Sequence, residues 1–173
     1  RRCPVGIGAN DRGATSISEE AWDNILAVNL KSVLMPCRYA LEPMRAQGSG
    51  AIVNISSVAA ITSSRMVAYK TSKAGVNAMT QQLALTNARF GIRVNCIMPG
   101  AMDTPMAIEG FSAARGISRE ELRAERDARV PLRNKMGTGW DIAHAALYLV
   151  SDEAQFVTGV VLPVDGGSAD PGP

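Results

Sequence analysis

The 173-residue chain reads as one α/β domain built on a parallel sheet. Two observations carry that reading. Helical and strand-like segments alternate, in the order helix, strand, helix, strand, helix, strand. The strand-like segments are also short, nearly continuous apolar runs, as expected of strands buried on both faces. Bulk composition agrees: 46% hydrophobic and 20% charged residues describe a globular chain of ordinary domain size.

The chain opens on Arg1-Arg2-Cys3-Pro4, with no initiator methionine or signal peptide, and so reads as cut from something longer. Val5-Gly6-Ile7-Gly8-Ala9-Asn10 is glycine-rich, but no complete strand precedes it. Asp11 stands where the third glycine of a G-x-G-x-x-G loop would fall. The segment reads instead as a strand-end turn feeding a loop through Asp11-Arg12-Gly13.

Ser16-Ile17-Ser18-Glu19 has capping-box spacing and opens a helix over about 18–47. Trp22, Ile25, Leu26, Leu30, Val33 and Leu34 form its apolar stripe, which Asn29 interrupts. A buried amide must find partners, so Asn29 is either a structural bridge or part of a polar network near a site. Pro36 and Pro43 should bend or end this helix by removing backbone donors. A strand over 51–57 then ends in two hydroxyls, Ser56 and Ser57, at the carboxyl end where ligand crevices of open α/β sheets lie. Either serine could equally cap a turn.

The next helix spans about 66–89 and carries small residues (Ala68, Ser72, Ala74, Gly75, Ala78) that allow another element to approach closely. Gly91–Met98 is a second buried strand, closed by Pro99-Gly100. Residues from about 108 to 129 are charged and helix-favouring, with Phe111 and Leu122 as their few large apolar groups. They read as a lid over a crevice or as a solvated surface helix. A helix opening at Gly139-Trp140-Asp141 and a strand ending in Val164-Asp165-Gly166-Gly167 complete the chain.

Charge and composition exclude several classes. A net charge of +2 without a basic run gives no footprint for nucleic acid, and no apolar stretch reaches the ~20 residues of a membrane span. Cys3, Cys37 and Cys96 lack metal-ligand spacing and read as small buried hydrophobes of a reducing compartment, so no metal site and a cytoplasmic location are expected. The single histidine, His144, sits in an apolar helical run and suits a core or boundary role.

Chemistry concentrates in Tyr69-Lys70-Thr71-Ser72-Lys73. A tyrosine and a lysine at this spacing project from one helix face. A phenol titrates near ~10, and a cation close by favours the phenolate. The pair has the parts of a proton donor and acceptor.

Taken with Asn54-Ile55-Ser56-Ser57, with Arg93-Val94-Asn95 before Pro99-Gly100, and with Thr104 and the late Val-Asp-Gly-Gly turn, this segment resembles the short-chain dehydrogenase/reductase family. The resemblance runs from about Val5 to Gly167. It implies a Rossmann-like, doubly wound parallel sheet over a single domain 1–173, with a substrate loop at about 105–130. It implies an NAD- or NADP-dependent oxidoreductase that interconverts a carbonyl and a secondary alcohol.

By the same resemblance Tyr69 is the general acid/base, and Lys73 lowers its pKa and bonds the nicotinamide ribose. Ser57 polarises the substrate oxygen, and Asn29 anchors a proton-relaying water. Gly6, Pro99, Gly100, Met102 and Thr104 border the cofactor, with Thr104 on its carboxamide. Helices 18–47 and 66–89 would form the interface of a homodimer or homotetramer.

The family pattern also begins with a strand and a Thr-Gly-x-x-x-Gly-x-Gly loop that this sequence lacks. Arg2-Cys3-Pro4-Val5 stands where the first residues of an Asn-Asn-Ala-Gly motif would fall. The expectation is therefore a catalytic half whose first βαβαβ half is missing. The alternative is an inactive fragment that only pairs through its bundle helices.

Overall fold

The structure, a computed structural model, describes residues 6–8 and 10–169; the comparison made above for Arg2-Cys3-Pro4-Val5 lies outside them. The described chain alternates helix and strand as its sequence implies. Helix α1 spans Glu19–Leu26 and α2 spans Ser32–Gln47, with the five-residue π-helical stretch Ala27–Lys31 between them. Strand β1 is Gly50–Ile55, helix α3 Val67–Asn87 and strand β2 Ile92–Pro99. Helices α4 (Pro105–Arg115), α5 (Arg119–Asp127) and α6 (Gly139–Val150) precede strand β3, Val161–Val164.

The three strands form one parallel sheet in the order β1-β2-β3. The middle strand is the most deeply buried, which accounts for its uninterrupted apolar run. Its side chains alternate between faces. Ile92 and Val94 pack with Leu41 of α2 and Ala84 of α3. Arg93 points the other way, where its guanidinium donates to the carbonyls of Leu149 (2.6 Å) and Ser151 (3.0 Å) at the end of α6. A cation suits a helix C-terminus, whose last carbonyls lack partners. Helices thus cover both faces of the sheet.

Asn95, fully buried, ties β2 to the loop before β3: it donates to the Val157 carbonyl (2.8 Å) and accepts from the Val160 amide (3.1 Å). The Arg93-Val94-Asn95 motif is therefore an architectural clamp.

Three local expectations are corrected. The cap of α1 is Ser18, which accepts from the Ala21 amide at 3.2 Å, while Ser16 donates to the Gly13 carbonyl. Ser18 directly precedes the first helical residue, and that position decides the cap. Neither Pro36 nor Pro43 ends α2. The carbonyls freed at Pro36 and Pro43 are those of Ser32 and Tyr39, both exposed residues where water can serve them. The long helix is interrupted earlier, by the π-helical stretch that carries Asn29.

The charged segment after β2 is the third correction. It folds as two helices over a small core of its own, Ile108, Leu122, Val130 and Met136, all nearly inaccessible to solvent. Four arginines on its outside pair with carboxylates: Arg115 and Arg129 with Glu125, Arg119 with Glu109, and Arg123 with Asp103. His144 is exposed on α6, its ring 6.3 Å from that of Trp140, so it has no place in the core. Among the described residues no helix is long and apolar enough to cross a membrane.

Candidate active site

A cavity of about 650 Å³ opens at the carboxyl ends of β1 and β2. Its wall includes Ser57, Tyr69, Lys73, Pro99, Gly100, Met102, Thr104 and Gly6. Of the residues picked out from sequence, only Asn29 is absent from that wall.

The two serines at the end of β1 separate cleanly. Ser56 is buried and donates to the Lys73 carbonyl at 2.8 Å, while its amide continues the sheet ladder to the Ile97 carbonyl. It fastens the strand end to α3. Ser57 is half-buried, accepts from the Ala59 amide (3.2 Å), and lies near the Tyr69 hydroxyl, where it favours the ionised form. Both serines line the cavity, but the Ser56 hydroxyl is committed to a backbone carbonyl.

Tyr69 lies in the first turn of α3, and the side chain that fixes that turn comes from far away in sequence. The residue before α3, Met66, offers no side-chain cap. Asp11 takes its place: its carboxylate accepts from the amides of Ala68 (3.1 Å) and Tyr69 (2.6 Å). A carboxylate on free amides at a helix N-terminus gains both charge-assisted hydrogen bonds and the favourable helix dipole. Sequence reading had placed Asp11 in a plain loop, because nothing local links positions 11 and 69. Asp11→Ala should cost about 1–2 kcal/mol of stability and lower turnover by displacing Tyr69; an unchanged melting temperature and rate would show that the cap carries no weight.

Lys73 is 1% exposed. Its amine donates to the Ile55 carbonyl at 3.2 Å and stands 5.8 Å from the centre of the Tyr69 ring. Burial pulls its pKa down to about 8, against a small opposing effect of the Cys96 thiol, which is itself pushed up to about 11 by burial. Tyr69 departs from expectation. Burial raises its pKa above the ordinary phenol value, and the Ser57 hydroxyl offsets only part of this. Here the cost of desolvating a phenolate outweighs the attraction of the nearby amine.

Asn29 is buried in the π-helical stretch, and its side-chain amide makes three hydrogen bonds. It accepts from the Ile7 amide (2.7 Å) and donates to the Ile7 carbonyl (2.8 Å) and to the Ser72 hydroxyl (3.1 Å). Ser72 in turn donates to the Tyr69 carbonyl at 2.7 Å. The side chain therefore bridges the glycine segment to α3.

Two glycines admit close approaches at this site. A Cβ at Gly6 would stand 3.1 Å from Asn29 Oδ1 and 3.3 Å from Lys73 Nζ. A Cβ at Gly100 would fall 2.6 Å from the Asp165 Cα, so the Val-Asp-Gly-Gly turn can close against Pro99-Gly100 only because residue 100 lacks a side chain. Asp165 pins that turn by accepting from the amides of Gly167 (3.0 Å) and Ala169 (2.7 Å). Met102 pairs with Gly137 in an isolated parallel bridge. Thr104 caps α4, accepting from the Ala107 amide at 3.3 Å, which leaves its hydroxyl proton to donate.

Residues 4–169 match the family described as Enoyl-(Acyl carrier protein) reductase. Cis-4-hydroxycyclohexanecarboxylate dehydrogenase from Sinomonas cyclohexanicum is 39% identical over 94% of this chain and 62% of its own length. Levodione reductase superposes with a TM-score of 0.89 at 31% identity, covering 96% of this chain and 65% of that one. The chain belongs to the short-chain dehydrogenase/reductase family.

Its α/β fold with a parallel sheet is accordingly the Rossmann-like fold of short-chain dehydrogenases. A third relative, an Agrobacterium tumefaciens protein assigned as a 2-deoxy-d-gluconate 3-dehydrogenase, was crystallised with bound NADP. It is 33% identical, with a TM-score of 0.79 over 96% of this chain and 65% of that one. The chain spans 59–66% of the length of the first curated dehydrogenases and reductases it matches.

Proposed function

We propose that this chain carries the catalytic site of an NAD(P)-dependent oxidoreductase that interconverts a small-molecule carbonyl and a secondary alcohol. The observation that carries this reading is the convergence of Ser57, Tyr69 and Lys73 on one largely apolar cavity beside Pro99-Gly100. Two of the relatives, by their names, act on a hydroxyl-bearing ring acid and on a diketone.

The residues present fit a nicotinamide group. Gly6 keeps the wall beside Asn29 and Lys73 clear of any side chain, and Thr104 retains a hydroxyl proton for an amide oxygen. Lys73 brings an amine suited to ribose hydroxyls. When bound there, the dihydronicotinamide supplies the hydride. Ser57 holds the substrate oxygen, and Tyr69 gives that oxygen its proton during reduction or takes it during oxidation. With its pKa raised, Tyr69 is protonated at neutral pH and so begins in the form that reduction consumes.

Titrating the chain with NADH and NADPH while following nicotinamide fluorescence tests the reading. Saturable binding is expected, weakened when Gly6 is replaced by valine. A folded chain that binds neither nucleotide would remove the reading and favour a role in pairing through the long helices.

A further inference from the structure

Charge is distributed unevenly around the cavity. Its described wall holds two ionisable cations, Lys73 and Arg126, and no aspartate or glutamate. Lys73 belongs to the Tyr69 site. Arg126 comes from α5, in the charged segment that the mechanism above does not use.

Arg126 differs from its neighbours. Arg115, Arg119, Arg123 and Arg129 each pair with a carboxylate on the outside of the segment. For Arg126 no ion pair or hydrogen bond occurs among the described residues. Its guanidinium instead lies against the Phe111 ring, 4.7 Å from the ring centre, and is half-buried. Stacking occupies a face of the guanidinium and leaves its edge donors free to form a fork. Burial and the nearby Arg129 work against its charge, and Glu125 offsets part of this. Glu125, its neighbour in sequence, is engaged by Arg115 and Arg129, so a cation in a mostly apolar wall without a carboxylate gains most from an incoming anion.

We infer that Arg126 determines substrate specificity, and that the substrate offers it an anionic oxygen group, a carboxylate in the first instance. This rests on the oxidoreductase reading and deepens it: Tyr69 and Ser57 take the carbonyl end, and Arg126 takes the acidic end. The dinucleotide's own phosphates are the other source of anionic oxygen in such a site, and the test separates the two.

Calorimetric titrations of the wild-type chain and of Arg126→Gln with benzoate and hexanoate, each against its neutral amide, decide the matter. At least one acid should bind wild type roughly 10–100-fold more tightly than its amide, the range of one charge-assisted fork. Arg126→Gln should bring that acid to the level of the amide, while NADH binding and melting temperature stay unchanged. Arg126→Lys should recover part of the preference, since it restores the charge without the fork.

Acids binding no better than amides to wild type would overturn the assignment. So would a loss of NADH affinity in Arg126→Gln, which would give the residue to the dinucleotide phosphates. Failure of wild type to bind nicotinamide strikes the oxidoreductase reading alone, because the acid titration needs no cofactor.

Discussion

Phenylalanine at position 69 should lower turnover by roughly 10²–10⁴-fold, the usual share of a positioned acid/base, while nicotinamide binding changes little. The substitution keeps the ring in the first turn of α3 and removes only the hydroxyl that meets Ser57. Lys73 donates to the Ile55 carbonyl, and the Ser56 hydroxyl is committed to the Lys73 carbonyl.

The pH dependence sharpens the test. Because burial raises the Tyr69 pKa, the phenol form persists through neutral pH, so carbonyl reduction by the wild-type protein should be nearly flat there. Alcohol oxidation should climb with pH across the alkaline range. The alkaline climb should vanish in the variant, and turnover surviving at a wild-type rate would take the role away from Tyr69.

Methionine at position 73 should do two opposite things: abolish useful turnover and make the protein more stable at pH 7. The lysine is almost wholly buried, and its pKa falls from an ordinary 10.5 to about 8. Holding it charged at pH 7 therefore costs on the order of 3 kcal/mol. The amine's bonds inside the protein, the one to the Ile55 carbonyl among them, offset part of that cost.

The sign follows from proton counts. Below about pH 8 the lysine is charged in both folded and unfolded chains, and the penalty is complete. Between about 8 and 10.5 the unfolded chain binds the proton and the folded chain does not, so wild-type stability rises with pH. Above 10.5 the penalty is gone. Lys73→Met should melt higher than wild type at pH 7 by a few degrees, and that advantage should shrink across this window. A lower melting temperature at pH 7, or a difference that ignores pH, would show that burial of the amine carries no cost.

Periodicity sufficed for the strands and for helices α3 and α6. The apolar runs of β1 and β2 and the alternation of helix and strand lie in the sequence in a form that needs no tertiary knowledge. The cavity wall was legible for a different reason: Ser57, Tyr69, Lys73 and Pro99-Gly100 sit at strand ends and in a first helical turn, where an α/β sheet gathers its side chains.

What stayed hidden depends on long-range partners. Asp11 gives no local sign that it caps a helix beginning at Val67. The core under the charged segment joins Ile108 and Leu122 to Val130 and Met136, residues of a later loop that only the folded helix pair brings together. The direction of the Tyr69 shift is hidden for the same reason, since the degree of burial is a property of the assembled wall and not of a Tyr-x-x-x-Lys spacing.

The cap on α3 also bears on how the protein acquires its chemistry. Closing a loop from Asp11 to Ala68 carries an entropic cost that grows only logarithmically with its length, but it must be met before those two helix amides find their acceptor. Until then the helix can be wound along most of its length while its first turn frays. Hydrogen–deuterium exchange at the Tyr69 amide thus reports the docking of residues 6–13 rather than the formation of α3. Competence for proton transfer arrives with that docking, as a step separable from the helix itself.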